Sequence, residues 1–586
     1  MHNGVKPHWP ALTKGYIISE LTTIGASTRT VLQTYVGQLQ YLDLHYTTGN
    51  YYNDMDAADS ATPAVGEGWQ PPLFSTSSWL LIITACVLLF VYDYWSHHYL
   101  ARLGIPGGSS KPFIGNTLDF FFNKEGIQGY HEKCFARYGK LFGSYLGWRP
   151  GVVTADVDLV RLVCIKDFAS FTNRRRQPID NKPFHKALPD LRDDHWKDVR
   201  GILSPTFSGS KMKLMAPLIN DCLDPMIRKV AKHHEEGKSL QMKDIYGGYL
   251  IDAIGNCAFG LTLNSQETEN DPFLFNTKDI FNFKFNFTIF VIVFLPFLAP
   301  VLNYFGATTF RRSTMNFFEN IMDQAVELRR SGAERRLDFL QLMLDAHEKS
   351  YLTAEDKEQA TEEEKLEEEH RKHMSKKSLT MDELKSQGLV FFLAGYDTSS
   401  TTLGFASYLL ATNPEVQDKL VNEIDTLAPG RDDVTYENIT KMTYLDQVIC
   451  ETLRVYPPAI VAAREASRDY QYQGYTIPEG MEIFISVWQI HHDPELWEDP
   501  DKFDPDRFTP EQRENRHPCA WIPFGVGPRN CIGMRFALLQ TKMGLVRMLQ
   551  NFRLETCAET EIPPVLGKFG FLTPANGFKL SAVPRS

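Results

Sequence analysis

The feature that most constrains this chain is a ten-residue loop near its C-terminal end, residues 524–533, with the sequence FGVGPRNCIG. One thiol, that of Cys531, lies in this loop among three glycines, and a helical pattern follows it. Glycine lets the backbone approach a flat cofactor closely because it has no side chain. Backbone N–H groups at the start of a following helix favour a thiolate and can hydrogen-bond its sulfur. A lone cysteine in such a loop is more often an inert buried residue than a metal ligand. The glycines and the following helix alone therefore leave both interpretations open.

The same loop carries the pattern F-x-x-G-x-R-x-C-x-G, in which the chain resembles the cytochrome P-450 family. The matching positions are Phe524, Gly527, Arg529, Cys531 and Gly533. The resemblance implies that these residues bind heme b and that the Cys531 thiolate is the axial ligand of its iron. It also implies the family's fold, mainly α with a small β region.

A second pattern lies upstream, where Glu451 and Arg454 are three residues apart on one predicted helix face. On its own this spacing is typical of a surface ion pair. The resemblance instead implies that both residues join Arg507, in the sequence Pro-Asp-Arg-Phe, to hold the heme side of the fold. We expect the three residues to be structural.

Four residues are predicted to meet the two carboxylates of heme. Trp196 and Arg200 form a W-x-x-x-R pattern one helical turn apart, and the resemblance adds Arg464 and Arg529. Arginine suits a carboxylate because its planar fork can donate two parallel hydrogen bonds. W-x-x-x-R is a weak pattern in isolation and gains weight only beside the others.

The segment AGYDTS, residues 394–399, resembles the family's oxygen-side motif within a long apolar helix. Gly395 is expected to leave room above the iron. Thr398 can bond a carbonyl one turn back or turn toward bound oxygen. Asp397 is predicted to relay protons as a general acid, so Asp397 and Thr398 are the candidate catalytic residues.

The chain divides by composition into four segments. Residues 1–72 form a tail with no motif that we can interpret, and residues 73–95 form a predicted transmembrane anchor, of which 73–92 carry no charge. Residues 96–112 are a predicted Pro/Gly hinge and 113–586 the catalytic domain. A buried helix is the alternative to the anchor. Arg102 and Lys111 follow the anchor, whereas acidic residues precede it, so the body is expected in the cytosol.

Residues 281–305 are a second apolar run, interrupted by Pro296 and Pro300. The prolines favour a cavity roof or a patch at the bilayer surface over a second membrane span. Elsewhere the periodicity predicts helices over 380–411, 414–427 and 444–455. Strands are predicted over 470–477 and 482–488, separated by a Pro-Glu-Gly turn.

Charge and cysteine content exclude other classes. The chain has 61 Lys and Arg residues and 72 Asp and Glu residues, and the basic residues are not gathered into one patch. Nucleic acid is therefore not an expected partner. Nine irregularly spaced cysteines without a C-x-x-C pair argue against a disulfide framework or zinc site. The bulk of the protein is therefore expected in a reducing compartment.

Within the family, the chain resembles the animal group that holds thromboxane synthase and related xenobiotic- and steroid-oxidising enzymes. Thr398 stands where thromboxane synthase has an aliphatic residue, which favours monooxygenation of a xenobiotic, steroid or fatty acid over isomerisation of an endoperoxide. The resemblance implies NADPH-cytochrome P-450 reductase as partner, cytochrome b5 as a second electron donor, and a single-pass protein of the endoplasmic reticulum membrane. A non-catalytic heme sensor is the alternative from another class, and the intact oxygen-side motif opposes it.

Overall fold

The structure is a computed structural model that describes residues 76–108, 110–123, 125–268, 271–281, 286–331, 338–348, 379–568 and 571–585. The chain divides into two compact units, residues 1–80 and 81–586. The predicted tail, residues 1–72, lies outside the described residues.

The first described element is a 22-residue apolar helix, Thr76–His97, here called the N-terminal helix. It is the one continuous helix in the described ranges that is long and apolar enough to cross a membrane. Its side chains are largely exposed, with Leu80 at 70% and Leu81 at 71%. The apolar helix predicted over 73–95 is thus present and extends two residues further, to His97, while residues 73–75 lie outside the described residues.

The body is mainly helical, as the resemblance implied. Its helices in chain order are Tyr99–Arg102, Thr117–Phe122, Gly126–Tyr138, Val157–Arg161, Asp193–Leu203, Gly209–Asp221, Leu223–Glu235, Met242–Phe259, Pro272–Phe281, Phe287–Phe294, Ala299–Tyr304, Arg312–Arg330, Phe339–Glu348, Met381–Thr412, Pro414–Leu427, Tyr436–Lys441, Thr443–Val455, Val487–His491, Pro510–Glu514 and Met534–Asn551. The three helices predicted from periodicity agree with these bounds within one residue.

The central helix, Met381–Thr412, is the longest of these at 32 residues. Thr380 caps its start, since its hydroxyl accepts from the Glu383 N–H and the Glu383 carboxylate accepts from the Thr380 N–H. The helix ends before Pro414, whose ring disfavours a helical residue ahead of it. Tyr246 meets its Ser407 side chain at 2.8 Å between hydroxyl oxygens, deep in the core.

Nine strands in the described ranges form three small sheets. The largest has the order β1 (Leu141–Leu146), β2 (Arg149–Thr154), β7 (Glu482–Ser486), β4 (Val461–Glu465), and only β2 and β7 run parallel. The second joins β3 (Leu240–Gln241), β9 (Lys579–Pro584) and β8 (Phe552–Thr556). The third is a hairpin of β5 (Tyr470–Tyr472) and β6 (Tyr475–Ile477).

Two predicted strands differ in detail. The strand predicted over 470–477 is a hairpin, because Gln473 and Gly474 take positive φ angles of 46° and 84° and turn the chain. The strand predicted over 482–488 ends at Ser486, and a helix begins at Val487. Ser486 pairs with Val461, the first residue of β4, so the ladder has no partner beyond it.

The predicted Pro/Gly hinge lies against the body. Leu100 and Ile105 are each 3% exposed and belong to the core beside β1 and β2. The Gly143 N–H of β1 donates to the Pro106 carbonyl at 2.7 Å. Residues 100–106 are therefore packed and hydrogen-bonded, and the four predicted segment boundaries stay predictions.

Candidate active site

A cavity of about 580 Å³ lies between the 524–533 loop and the central helix. Most of the predicted site residues line it. They are Trp196, Arg200, Gly395, Thr398, Arg464, Phe524, Arg529, Cys531 and Gly533. Asp397 and Gly527 do not belong to the lining. The fold thus brings together residues that are more than 300 positions apart in the sequence.

Cys531 lines this cavity, so its accessible surface faces the interior of the protein rather than bulk solvent. Its backbone N–H donates to the Phe524 carbonyl at 2.8 Å, which closes the loop on itself. Because the surrounding protein removes the thiol from bulk water, the pKa of the Cys531 thiol is raised, and the backbone N–H of Gly533 opposes this rise. The next helix begins at Met534, so Gly533 supplies the helix-end N–H that the sequence predicts. A bound cation would stabilise the thiolate further.

The loop glycines have different roles. Gly527 has a φ of 77°, and a Cβ there would overlap the backbone carbonyl of Cys164. Its lack of a side chain therefore lets the loop approach residues 162–166, away from the cavity. Gly525 and Gly533 do line the cavity, and a Cβ at Gly533 would meet only Phe207, at 3.9 Å. Close approach to a flat ligand is therefore open at these two positions.

Four arginines line one side of the cavity: Arg174, Arg200, Arg464 and Arg529. Burial lowers the pKa of each of them, to about 10 for Arg174 and about 9 for Arg529. The arginines also depress one another's pKa, because like charges in a small volume repel. Sequence reasoning missed Arg174, whose segment matches no motif. Its proximity to Arg464 exists only in the fold.

Two of the four arginines, Arg200 and Arg529, make several hydrogen bonds to other parts of the protein. The Arg200 guanidinium donates to the carbonyl and side-chain oxygens of Asn530, at 2.8 and 2.7 Å. Arg529 lies over the Trp196 ring, 4.9 Å from its centroid. Its guanidinium donates to three backbone carbonyls, those of Thr172, Pro189 and Leu191. Arg529 therefore holds the loop in place as well as lining the cavity.

Arg464 has unused donor capacity. It is 2% exposed and donates from Nη1 to the carbonyl of Ala463, whereas its buried Nε has no partner among the described residues. A buried unpaired donor on a charged group is costly unless a ligand accepts from it. Heme fits this site, because it brings two carboxylates toward clustered arginines and a flat apolar ring toward the largely apolar lining.

The central helix also lines the cavity. The Thr398 hydroxyl lines the cavity and donates to the Ala394 carbonyl at 2.7 Å, the bond one turn back that the sequence allows. Gly395 also lines the cavity. A Cβ at Gly395 would lie 2.8 Å from Ile254 Cδ1, so this glycine additionally lets the helix Met242–Phe259 pack closely.

Asp397 does not line the cavity but forms an ion pair with Lys243. Its carboxylate is 2.7 Å from Lys243 Nζ, and the side chain is 4% exposed. A proton-relay role therefore requires this side chain to leave Lys243. Sequence reasoning missed Lys243, whose helix carries no recognisable pattern.

Gln540 was missed as well. It is fully buried, lines the cavity, and donates from Nε2 to the Ser399 hydroxyl at 2.8 Å. Its Oε1 has no partner among the described residues. Its position in the helix after Cys531 carries no signal beyond burial.

The predicted structural triad forms a buried network. Arg454 donates to both Glu451 oxygens, at 2.7 and 2.8 Å, and both side chains are fully buried. Arg507 Nε lies 3.4 Å from Glu451, and the Asp504 N–H donates to the same carboxylate at 3.0 Å. Burial raises the pKa of Glu451, and Arg454 opposes this. The network joins the helix Thr443–Val455 to the segment before Cys531.

Comparison with known proteins finds relatives over most of the chain. The family model described as Cytochrome P-450 matches residues 105–582. Cytochrome P-450 3A29 of Sus scrofa is 38% identical over 519 residues, 88% of this chain and 98% of that protein. Cytochrome P-450 3A5 of Homo sapiens is 38% identical over 86% of this chain and 96% of its own length. Cytochrome P-450 3A56 of Fundulus heteroclitus is 36% identical over 87% and 99% respectively.

Proposed function

We propose, on the premise that this chain belongs to the cytochrome P-450 family of heme-thiolate monooxygenases, that it inserts one oxygen atom from O2 into a lipophilic substrate. The proposed substrates are xenobiotics, steroids or fatty acids. Electrons come from NADPH through a reductase, with cytochrome b5 as a second donor. The family implies heme and a redox partner in general, whereas these particular partners and substrates are our proposal.

The observation that carries the proposal is that Cys531 and Thr398 both line one largely apolar cavity. Heme bound in this cavity would supply the chemistry of oxygen activation. Cys531 would ligate its iron through the thiolate. Arg174, Arg200 and Arg464 would donate to its carboxylates, and such charge-assisted bonds are about twice as strong as neutral ones.

The chain's own contribution to catalysis is proton supply and orientation. The Thr398 hydroxyl can exchange its bond to the Ala394 carbonyl for one directed into the cavity. Asp397 would hand protons toward Thr398 after parting from Lys243. Because Asp397 is almost fully buried, this step needs a side-chain rotation or an intervening water.

A lipophilic substrate suits the cavity. Its roof includes Phe571, whose ring lies 6.0 Å from that of Phe281, and a second wall runs from Pro458 to Ala463. Resemblance to the family implies substrate contacts in residues 281–297, 459–463 and 569–572. Of these, Ala459, Val461, Ala462, Ala463 and Phe571 line the cavity, and residues 569–570 lie outside the described residues. Burial of apolar substrate surface here is favourable by about 25 cal/mol per Å².

The proposed location is the endoplasmic reticulum membrane, with the body on the cytosolic side. The exposed apolar N-terminal helix supports an anchor. The second apolar run, residues 281–305, includes two short helices, Phe287–Phe294 and Ala299–Tyr304. The chain bends by 116° between them, at Pro296. An eight-residue helix is only about 12 Å long, against about 30 Å of hydrocarbon, which supports a surface patch rather than a second span.

The test is turnover by the heme-loaded protein with reductase and NADPH in air. Oxygen-dependent hydroxylation of a steroid or fatty acid is expected. Cys531→Ala should abolish the thiolate-type spectrum of the reduced carbon monoxide complex, whereas Cys519→Ala, at a buried cysteine outside the cavity lining, should keep it. Anaerobic conversion of a prostaglandin endoperoxide without NADPH would instead make the protein an isomerase.

A further inference from the structure

The cavity reaches the largest sheet at the free edge of β4. This strand is the last in the sheet and is bonded to β7 on one side, and no other strand of the described ranges lies on its other side. Four consecutive residues of β4, Val461 to Arg464, line the cavity. Because successive side chains of a strand point to opposite faces, a cavity that touches four in a row lies along the edge of the strand rather than against one face.

Main-chain groups of every second residue point toward this edge. Across the pair of β4 and β7, the Ala466 N–H donates to the Met481 carbonyl at 2.9 Å. Hydrogen-bonded residues alternate along an antiparallel pair, so the even-numbered residues of β4 bond toward β7. The odd-numbered residues, Val461, Ala463 and Glu465, therefore direct their N–H and carbonyl groups away from β7.

The protein itself occupies both ends of the free edge. At one end the Glu465 N–H donates to the Asn173 carbonyl at 2.9 Å. This bond agrees with the alternation, because it leaves the strand on the side opposite β7. Just before the other end, the Pro458 carbonyl accepts from the Leu572 N–H at 2.8 Å. The segments at Asn173 and Leu572 thus bracket the part of the edge that lies between them.

Three main-chain groups between these ends are open. They are the N–H and carbonyl of Val461 and the N–H of Ala463, which have no partner in the part of the chain that the structure describes. The Ala463 carbonyl accepts from Arg464 Nη1 at 2.8 Å. The two residues are about 7 Å apart along the strand. Unpaired groups on a strand edge are a template for another extended chain, and the small side chains of Ala462 and Ala463 leave room for one to approach.

We propose that this open part of the β4 edge binds the main chain of an extended, peptide-like substrate, that is, a lipophilic molecule with an amide N–H and flanking carbonyls. The substrate N–H would donate to the Val461 carbonyl, and two substrate carbonyls would accept from the N–H groups of Val461 and Ala463. An added strand of this kind takes its affinity from main-chain hydrogen bonds. The inference rests on the monooxygenase function proposed above and adds a substrate class for the same cavity.

Two features of the cavity favour this occupant. The open groups are two donors and one acceptor, and an extended amide chain supplies complementary groups at the same spacing. A steroid or a fatty acid lacks the alternating donors and acceptors that would match all three. The rest of the lining is largely apolar and includes Ile449, Leu453 and Phe571, which suits the side chains of apolar amino acids.

The experiment measures the binding of N-acetyl-dileucine methyl ester to the heme-loaded full chain in lipid nanodiscs, by isothermal titration calorimetry. Ala463→Pro removes one donor of the edge and keeps the bonds to β7, because proline is tolerated on an edge strand where the missing N–H would face outward. Loss of one hydrogen bond should raise the Kd about three- to tenfold. Ala463→Val is the matched control, because it enlarges the side chain but keeps the N–H, and it should raise the Kd less than Ala463→Pro does.

A change in the ligand gives a second test, which uses the original chain. The N–H of the second leucine is the one that would donate to Val461 while the acetyl and terminal carbonyls accept. The analogue in which an ester oxygen replaces this N–H should also bind about three- to tenfold more weakly. This second test does not depend on the folding of any variant.

Equal affinities of the dipeptide and its ester analogue, or of the original chain and Ala463→Pro, would overturn the pairing with the β4 edge. Oxygen-dependent oxidation of a steroid by the same preparation tests the proposed function separately. Steroid oxidation without any binding of the dipeptide would overturn this inference alone. Binding of the dipeptide without oxidation of any lipophilic compound would overturn the proposed function and leave the edge as a binding site.

Discussion

Replacement of Arg174 by methionine is expected to have opposite effects on the heme-free chain and on heme retention. Burial, followed by the nearby Arg464, lowers the pKa of Arg174 from its usual 12.5 to about 10. That lowering corresponds to about 3 kcal/mol of cost for keeping the guanidinium charged in the folded protein. Methionine has a similar length and no charge, so Arg174→Met should raise the free energy of unfolding of the heme-free chain, by up to about 3 kcal/mol.

Heme retention should change in the other direction. A charge-assisted hydrogen bond to a buried carboxylate is worth about 1.5–3 kcal/mol, so Arg174→Met should speed heme loss about ten- to a hundredfold. Transfer of heme to excess apomyoglobin, followed by absorbance, measures this rate. Chemical denaturation of the heme-free protein measures the first effect.

Arg175→Met is the matched control, because Arg175 is the next residue and pairs with Glu482 at 3.3 Å rather than lining the cavity. Its loss should cost at most about 1 kcal/mol of stability and leave heme loss unchanged. Equal rates of heme loss in the two variants would refute the assignment of Arg174 as a carboxylate donor. A lower stability of heme-free Arg174→Met would refute the charge-repulsion argument.

Three further predictions follow from other parts of the site and core. Thr398→Ala should uncouple NADPH consumption from product and release more peroxide, and unchanged coupling would make Thr398 a packing residue only. Arg454→Met leaves the carboxylate of Glu451 buried beside fewer partners and should cost about 3–5 kcal/mol in denaturant unfolding; a loss under 1 kcal/mol would contradict this. Burial lowers the pKa of His131 to about 4, so this residue contributes stability above pH 6.5 that is lost as the pH falls toward 4. His131→Gln should remove about 3 kcal/mol of that acid dependence in unfolding curves measured between pH 4 and 7, and an unchanged dependence would exclude His131 as its source.

Local patterns were sufficient for much of the fold. The helices at 380–411 and 414–427 follow from a period of 3.6 residues, and the structure has them within one residue of those bounds. The strand at 482–488 was predicted two residues too long because a strand's end depends on where its partner begins. Here β4 begins at Val461, opposite Ser486. The identities of residues 487–488 do not show that the partner strand ends there.

In the site as well, local motifs predicted some residues, whereas contacts between distant segments could not be predicted. The family motifs predicted Cys531, Thr398, Arg200 and Arg464 as site residues, and the structure places all four in the lining of one cavity. The ion pair between Asp397 and Lys243 could not be predicted from the sequence, because the two residues are 154 positions apart and no local pattern marks their contact. The hydrogen bond between Gln540 and Ser399 could not be predicted for the same reason.

The sequence by itself determined the family, the candidate thiolate ligand and the presence of an apolar N-terminal helix, because each depends on residues that are close together in the chain. Only the tertiary structure decided which arginines share a cavity, which acid is held away from it, and which strand edge borders it. These are contacts between distant segments. Their energies depend on burial and distance, which chain folding alone creates.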